Sequence, residues 1–163
     1  MIRRRVLFPA LLLLVATLAG CSDSGEIRAD ISTYGDEPIT IAGLTEEEFT
    51  VTPAELAELE CVSRSAKAET ADKVSAAGPL LDTFLAQYGY GIEDVHAVRF
   101  ISDSDYRVVL QEDYLTECEV ILAIAAGEKD PLTEAERPLR ILIPDLASNM
   151  WEHAVTRIEF ELV

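Results

Sequence analysis

Arg137-Pro138-Leu139-Arg140-Ile141-Leu142-Ile143-Pro144 is the stretch on which the reading of the fold turns. Arg140 to Ile143 is a short, almost wholly apolar run of strand length, and Pro144 stops it, because proline cannot donate to a sheet ladder. A run without polar alternation belongs to a strand covered on both faces. Toward the C-terminus, Thr156 to Val163 alternates apolar and polar residues and predicts a final strand with one wet face. In the other direction, Glu119 to Ala125 predicts a second apolar strand ended by Gly127, with a short helical turn at Glu112 to Leu115 before it. Val95 to Ile101 and Tyr106 to Gln111 alternate as two further strands. Ser102-Asp103-Ser104-Asp105 between them carries the short acceptor side chains that favour a hairpin turn.

Helix signals punctuate the remaining chain. Gly78-Pro79 is read as the opening of a helix whose Leu80, Leu81, Phe84 and Leu85 form an apolar stripe, with Gly89 as its stop. Thr52-Pro53-Ala54-Glu55 has the form of a capping box. The Thr52 hydroxyl can accept from the Glu55 amide, Glu55 can reach back to the Thr52 amide, and Pro53 stands where a missing N–H costs nothing, so a helix is predicted from here to near Leu59. Ile39 to Ile41 and Phe49 to Val51 alternate like short strands, and Cys61 to Glu69 like a half-exposed one. The sum is one α+β domain over residues 38–163, a mixed twisted sheet of about seven strands with two or three short helices.

Composition bounds the function. The chain has 163 residues, 49% hydrophobic and 26% charged, with 13 Lys and Arg against 30 Asp and Glu for a formal charge of −17. That is the size of one ordinary domain able to bury a core. A surface this acidic repels phosphate backbones, so nucleic acid is excluded as the partner. There is no Gly-rich phosphate loop, no CxxC, no HExxH and no Gly-x-Ser-x-Gly. Glu46-Glu47-Glu48 lacks the spacing of a calcium loop and reads as a solvated face.

Arg3-Arg4-Arg5, the apolar run Val6 to Leu18, and Leu18-Ala19-Gly20-Cys21 resemble a bacterial lipoprotein signal, in which cleavage precedes a lipidated cysteine. A plain secretory signal and a short anchor helix are the alternatives. The resemblance implies a signal peptide at 1–20, lipidation of Cys21, and a flexible lipidated tether over 21–37. It places the protein in the cell envelope, anchored to a membrane by its N-terminal lipid, with Ser22 suiting the outer membrane of a Gram-negative host. Cleavage would leave 143 residues with 10 basic and 30 acidic side chains, a charge of −20.

The order of the pieces from Pro38 onward resembles the molybdopterin-binding domain of the sulfite oxidase group. The residues that carry the likeness are the Gly78-Pro79-Leu80-Leu81 stretch, the hairpin Ser102 to Val108, Ile121-Leu122-Ala123, Pro138-Leu139-Arg140 with Pro144, and Trp151 followed by Arg157-Ile158-Glu159. The likeness implies a twisted sheet with a groove for a pterin pyrophosphate, and a cysteine thiolate on molybdenum. Two departures follow. Counting along the strand after the Ala-Glu-Leu helix places the metal ligand near Ala66 to Ala68, where there is no cysteine, and Asp105 stands where the group has glycine. Neither a catalytic residue nor a metal ligand is therefore assigned.

Candidate contacts to an anionic cofactor are Arg64, Lys67 and His153, with Lys73, His96, Arg99 and Arg157 behind them. Their ordinary alternatives are a solvated strand face for the first group and a packed or surface histidine for His153. Cys61 and Cys118 can pair as a disulfide, which for a 57-residue interval contributes roughly 4 kcal/mol. They can equally remain free thiols, or Cys61 can serve as a displaced metal ligand. Three functions remain open. The first is an envelope lipoprotein whose domain has lost molybdenum catalysis and binds a protein or redox partner. The second is a molybdopterin-dependent oxidoreductase of small sulfur or sulfoxide compounds, and the third a structural envelope lipoprotein.

Overall fold

The computed structural model describes residues 26–70 and 72–163. The stretch 1–20 expected to be a signal, Cys21 and the first part of the expected tether lie outside the described residues. Five strands form the main sheet: β1 (Ile39–Ala42), β2 (Phe49–Val51), β5 (Val95–Ser102), β6 (Arg107–Gln111) and β9 (Val155–Leu162), in the order β2-β1-β9-β5-β6. Only β1 and β9 run parallel, so the sheet is mixed. Alternation fixes its register. Val108, Phe100, Ile158, Ile41 and Phe49 are successive cross-strand partners in one row, and the first four of them are buried. Each fully buried residue of this kind contributes about 1.5–3 kcal/mol of transfer free energy, and slipping one strand by a residue would expose its share of the row.

A second layer is built from two hairpins, β3 (Cys61–Lys67) with β4 (Lys73–Pro79) and β7 (Ile121–Ala123) with β8 (Arg140–Leu142). Bridges between Ala77 and Ala125 and between Leu80 and Ile121 join them in the order β3-β4-β7-β8, and Glu152 bridges to Ile141 on the far side of β8. Gly78 makes the join possible. A Cβ there would stand 2.0 Å from the Leu122 carbonyl oxygen, so only a residue without one lets β4 approach β7 this closely.

Three short α-helices, α1 (Pro53–Leu56), α2 (Leu81–Ala86) and α3 (Glu112–Glu117), and two 3-10 turns at Ile92–Asp94 and Ser148–Met150 accompany the strands among the described residues. The capping box forms as expected, with the Glu55 amide donating to Thr52 Oγ1 at 3.2 Å and the Thr52 amide donating to Glu55 Oε2 at 2.8 Å. Gly89 ends the α2 segment with φ +82, and Asp105 holds the hairpin turn at φ 60, the left-handed conformation for which glycine is the ordinary choice.

Several expectations are corrected. The architecture is α+β as expected, but nine strands are found among the described residues, and Gly78-Pro79 closes β4 instead of opening α2. The α1 helix stops at Leu56, short of Leu59. The segment before Pro38, where a flexible tether is expected, is packed at Tyr34. Tyr34 is 1% exposed, its hydroxyl donates to the Ile124 carbonyl at 2.8 Å and accepts from the Leu132 amide at 3.0 Å, and the Arg137 guanidinium lies 4.7 Å over its ring. These bonds fasten the segment before Pro38 to the second layer, so the folded domain begins earlier than the sequence composition indicates.

Candidate functional site

The candidate cofactor contacts do not converge. Arg64 and Lys67 lie on β3, the outer strand of the second layer, whereas His153 follows the segment that bridges to β8 at the opposite side. Arg64 pairs with Glu119, Nε to Oε2 at 2.9 Å, and donates to the Ser63 carbonyl. Lys67 is exposed at the end of β3 directly opposite Lys73. The reserve candidates face acids as well. Arg99 meets Glu161 at 3.0 Å, His96 lies 3.6 Å from Glu112, and Arg157 bonds both Glu48 and Glu159, which raises its guanidinium pKa, Glu48 contributing most. Arg64, His96, Arg99 and Arg157 thus each face a carboxylate, whereas Lys67 and Lys73 stand beside each other at the turn end of the β3–β4 hairpin.

Ala66 and Ala68 offer no donor atom, and Lys67 between them turns outward to solvent. A molybdenum dithiolene centre takes a soft thiolate from the protein. Cys61 does not stand in for it. Its thiol is buried, lies 3.9 Å from the Leu56 carbonyl oxygen, and is pushed up by burial to about 11, so it is a protonated packing group at neutral pH. Of the readings of the cysteine pair, the structure has two free thiols: no bond joins Cys61 and Cys118. Cys118 is half-buried, and burial followed by Asp145 and Glu117 raises its thiol too. Among the described residues, no group of three or more His, Cys, Asp and Glu side chains is placed to hold a metal ion.

What the structure does assemble around His153 is an ion network that pattern reading missed. Arg140, 5% exposed, donates to Glu136 Oε1 at 3.0 Å, and His153 Nδ1 lies 3.9 Å from the same oxygen. Glu136 Oε2 accepts from the Thr133 amide at 3.0 Å and its hydroxyl at 2.7 Å. Burial alone would push the Glu136 carboxyl up, but the Thr133 bonds, Arg140 and His153 outweigh it and hold the pKa down. His153 is lowered by burial and then by Arg140. On the neighbouring segment Glu152 is 5% exposed, with one oxygen accepting from the His153 amide and Oε2 without a partner, and burial raises its pKa. The network ties residues 133–140 to 152–153. The Thr133-x-x-Glu136 spacing was its one local signal; the rest depends on the bridge between Ile141 and Glu152, which pairs segments distant in sequence.

Two openings among the described residues are large enough to consider as places for a ligand. One, of about 160 Å³, lies between α2 and α3 and is lined by Leu80, Leu81, Leu115, Cys118 and Val120 among others. The larger, about 300 Å³, lies between β2, α1 and α2. Its lining includes Leu56, Leu59, Phe84 and Tyr88 with Glu55 and Glu58.

A solved structure shares this fold. It is the sulfane dehydrogenase SoxCD from Paracoccus pantotrophus, 19% identical, with a TM-score of 0.62 over 79% of this chain and 39% of that one. The present chain therefore spans about two-fifths of the length of that protein, and at this identity the likeness is one of fold. No protein-family model matches the chain, and no curated protein does.

Proposed function

We propose that this chain is a lipid-anchored envelope protein whose domain has the fold of the sulfite-oxidase-type molybdopterin-binding domains, has lost molybdenum catalysis, and acts as a binding or interaction module. The fold half of the reading is supported by the similarity to the sulfane dehydrogenase and by the order of sequence pieces from Pro38 to Val163. The loss of catalysis rests on one observation above the others. The end of β3, where the group's metal ligand is expected, is Ala66-Lys67-Ala68, with neither a thiolate nor an inward-facing cation. Fold does not carry chemistry across when the site residue is missing. The neutralised cations Arg64, Arg99 and Arg157 point the same way, because a pterin pyrophosphate needs positive charge that is not already spent. Membrane anchoring through Cys21 rests on the lipobox-like Leu18-Ala19-Gly20-Cys21 and is checked by the mass of the processed N-terminus. Chain purified from a molybdopterin-producing host and assayed for molybdenum and pterin tests the loss of catalysis: stoichiometric metal would restore the oxidoreductase reading.

A further inference from the structure

The groove between β2, α1 and α2 has three kinds of lining that together select a ligand class. Its floor is apolar, with Leu56 and Phe84 each 2% exposed and Leu59 half-buried. One wall is aromatic. The Tyr88 ring stands 5.2 Å from the Phe84 ring at 58° and 5.0 Å from the Phe49 ring at 39°. Tilted rings at these separations hold one another in place and present a fixed π surface. The rim is anionic, with Glu55 and Glu58 both exposed and no Lys, Arg or His in the lining. Glu55 is pinned by the helix cap, its Oε2 accepting from the Thr52 amide at 2.8 Å, so its charge is fixed in position at the groove. Burial raises the pKa of the Tyr88 hydroxyl, and the nearby Glu55 carboxylate adds to the rise.

We propose that this groove binds a small organic cation with an apolar body, of the alkylammonium or quaternary ammonium class, with its charge toward Tyr88, Glu55 and Glu58 and its carbon frame against Leu56, Leu59 and Phe84. An organic anion would meet two carboxylates and the field of a chain of charge −17. A neutral apolar ligand would leave the acidic rim unused, and two carboxylates fall short of the group of three ligating side chains that a bare metal ion would need, no such group being found among the described residues. An ammonium over an aromatic face, desolvated on one side and near a carboxylate, uses all three linings. A volume of about 300 Å³ suits a molecule of a few to a dozen heavy atoms. The inference rests on the binding-module reading and names what the module binds.

Choline and its uncharged isostere 3,3-dimethylbutan-1-ol separate charge recognition from apolar burial. The isotope-labelled full chain, kept in a non-ionic detergent, is titrated with each while amide signals are followed. Choline is expected to give saturable shifts centred on residues 84–88 and 55–59, with affinity at least about fivefold above that of the alcohol. Glu58→Gln should weaken choline about three- to fivefold without lowering the melting temperature, and Tyr88→Leu should weaken it at least about fivefold. Equal binding of choline and the alcohol would overturn the assignment. So would choline shifts scattered over the acidic surface and reduced no more by Glu58→Gln than by Glu134→Gln. Stoichiometric molybdenum would overturn the binding-module reading whatever the titration shows. A metal-free chain that ignores choline would remove the cation assignment alone.

Discussion

Removing the single hydroxyl of Tyr34 should cost the fold more than any surface substitution. In Tyr34→Phe the ring stays in place under Arg137, and only the bonds to Ile124 and Leu132, at 2.8 and 3.0 Å, are lost. Each is worth about 1 kcal/mol net, and more where a buried partner is left unpaired. The total is about 2–3 kcal/mol. At about 3 °C per kcal/mol for a domain of this size, the melting temperature should fall by about 6–9 °C. The Leu132 amide, which donates to the hydroxyl, should lose hydrogen-exchange protection in the same variant. Thermal unfolding by circular dichroism, paired with exchange at Leu132, reads both effects. A melting temperature within about 1 °C of the parent and an unchanged Leu132 would refute the docking of residues 26–37 and return the tether to the length the composition indicates.

Two further outcomes follow from the buried groups. The Glu152 carboxyl has a pKa raised above its ordinary value of 4.5 by burial, so the fold holds its proton more tightly than the unfolded chain does. Its contribution to stability is present below 4.5 and is lost as pH rises through the raised value. Glu152→Gln, which keeps the acceptor for the His153 amide, should melt about 3 °C above the parent at pH 8 and converge with it near pH 4. A variant less stable than the parent at pH 8 would contradict a buried carboxyl whose ionisation the fold disfavours. The thiols offer a second check. At pH 7.5 a maleimide should modify half-buried Cys118 at least about tenfold faster than Cys61, whose thiol is buried and pushed up to about 11. Resistance of both until a reductant is added would establish the bridge that the structure lacks.

The parts of this fold that could be read in advance are those whose signal is local. The Thr52 cap, the Ser102 to Asp105 hairpin and the apolar run at Arg140 to Ile143 each state their geometry within a few residues. β4 does not. Ala76, Ala77, Gly78 and Pro79 are all buried, because β3 and β7 flank the strand, so no alternation survives to announce it, and Gly78-Pro79 imitates a helix start. Tyr34 was hidden by its polar neighbours, and its partners lie 90 and 98 residues away. The candidate site was legible mainly as an absence. Ala66 and Ala68 can be counted to, but the carboxylates that occupy the cations cannot: Arg157 meets Glu48 across 109 residues and Arg64 meets Glu119 across 55. The groove lined by Tyr88 and Glu55 arises only when β2, α1 and α2 are brought together, and no motif in any one of them marks it.

The central claim, that this domain keeps a molybdopterin-type fold without the metal, is tested most directly by counting molybdenum atoms and pterin per chain. Chain produced in a host that makes the cofactor is purified without chelators, its molybdenum measured by elemental mass spectrometry and its pterin by fluorescence after oxidation. The account predicts traces of neither above the background of an unrelated acidic protein. One molybdenum and one pterin per chain would contradict it.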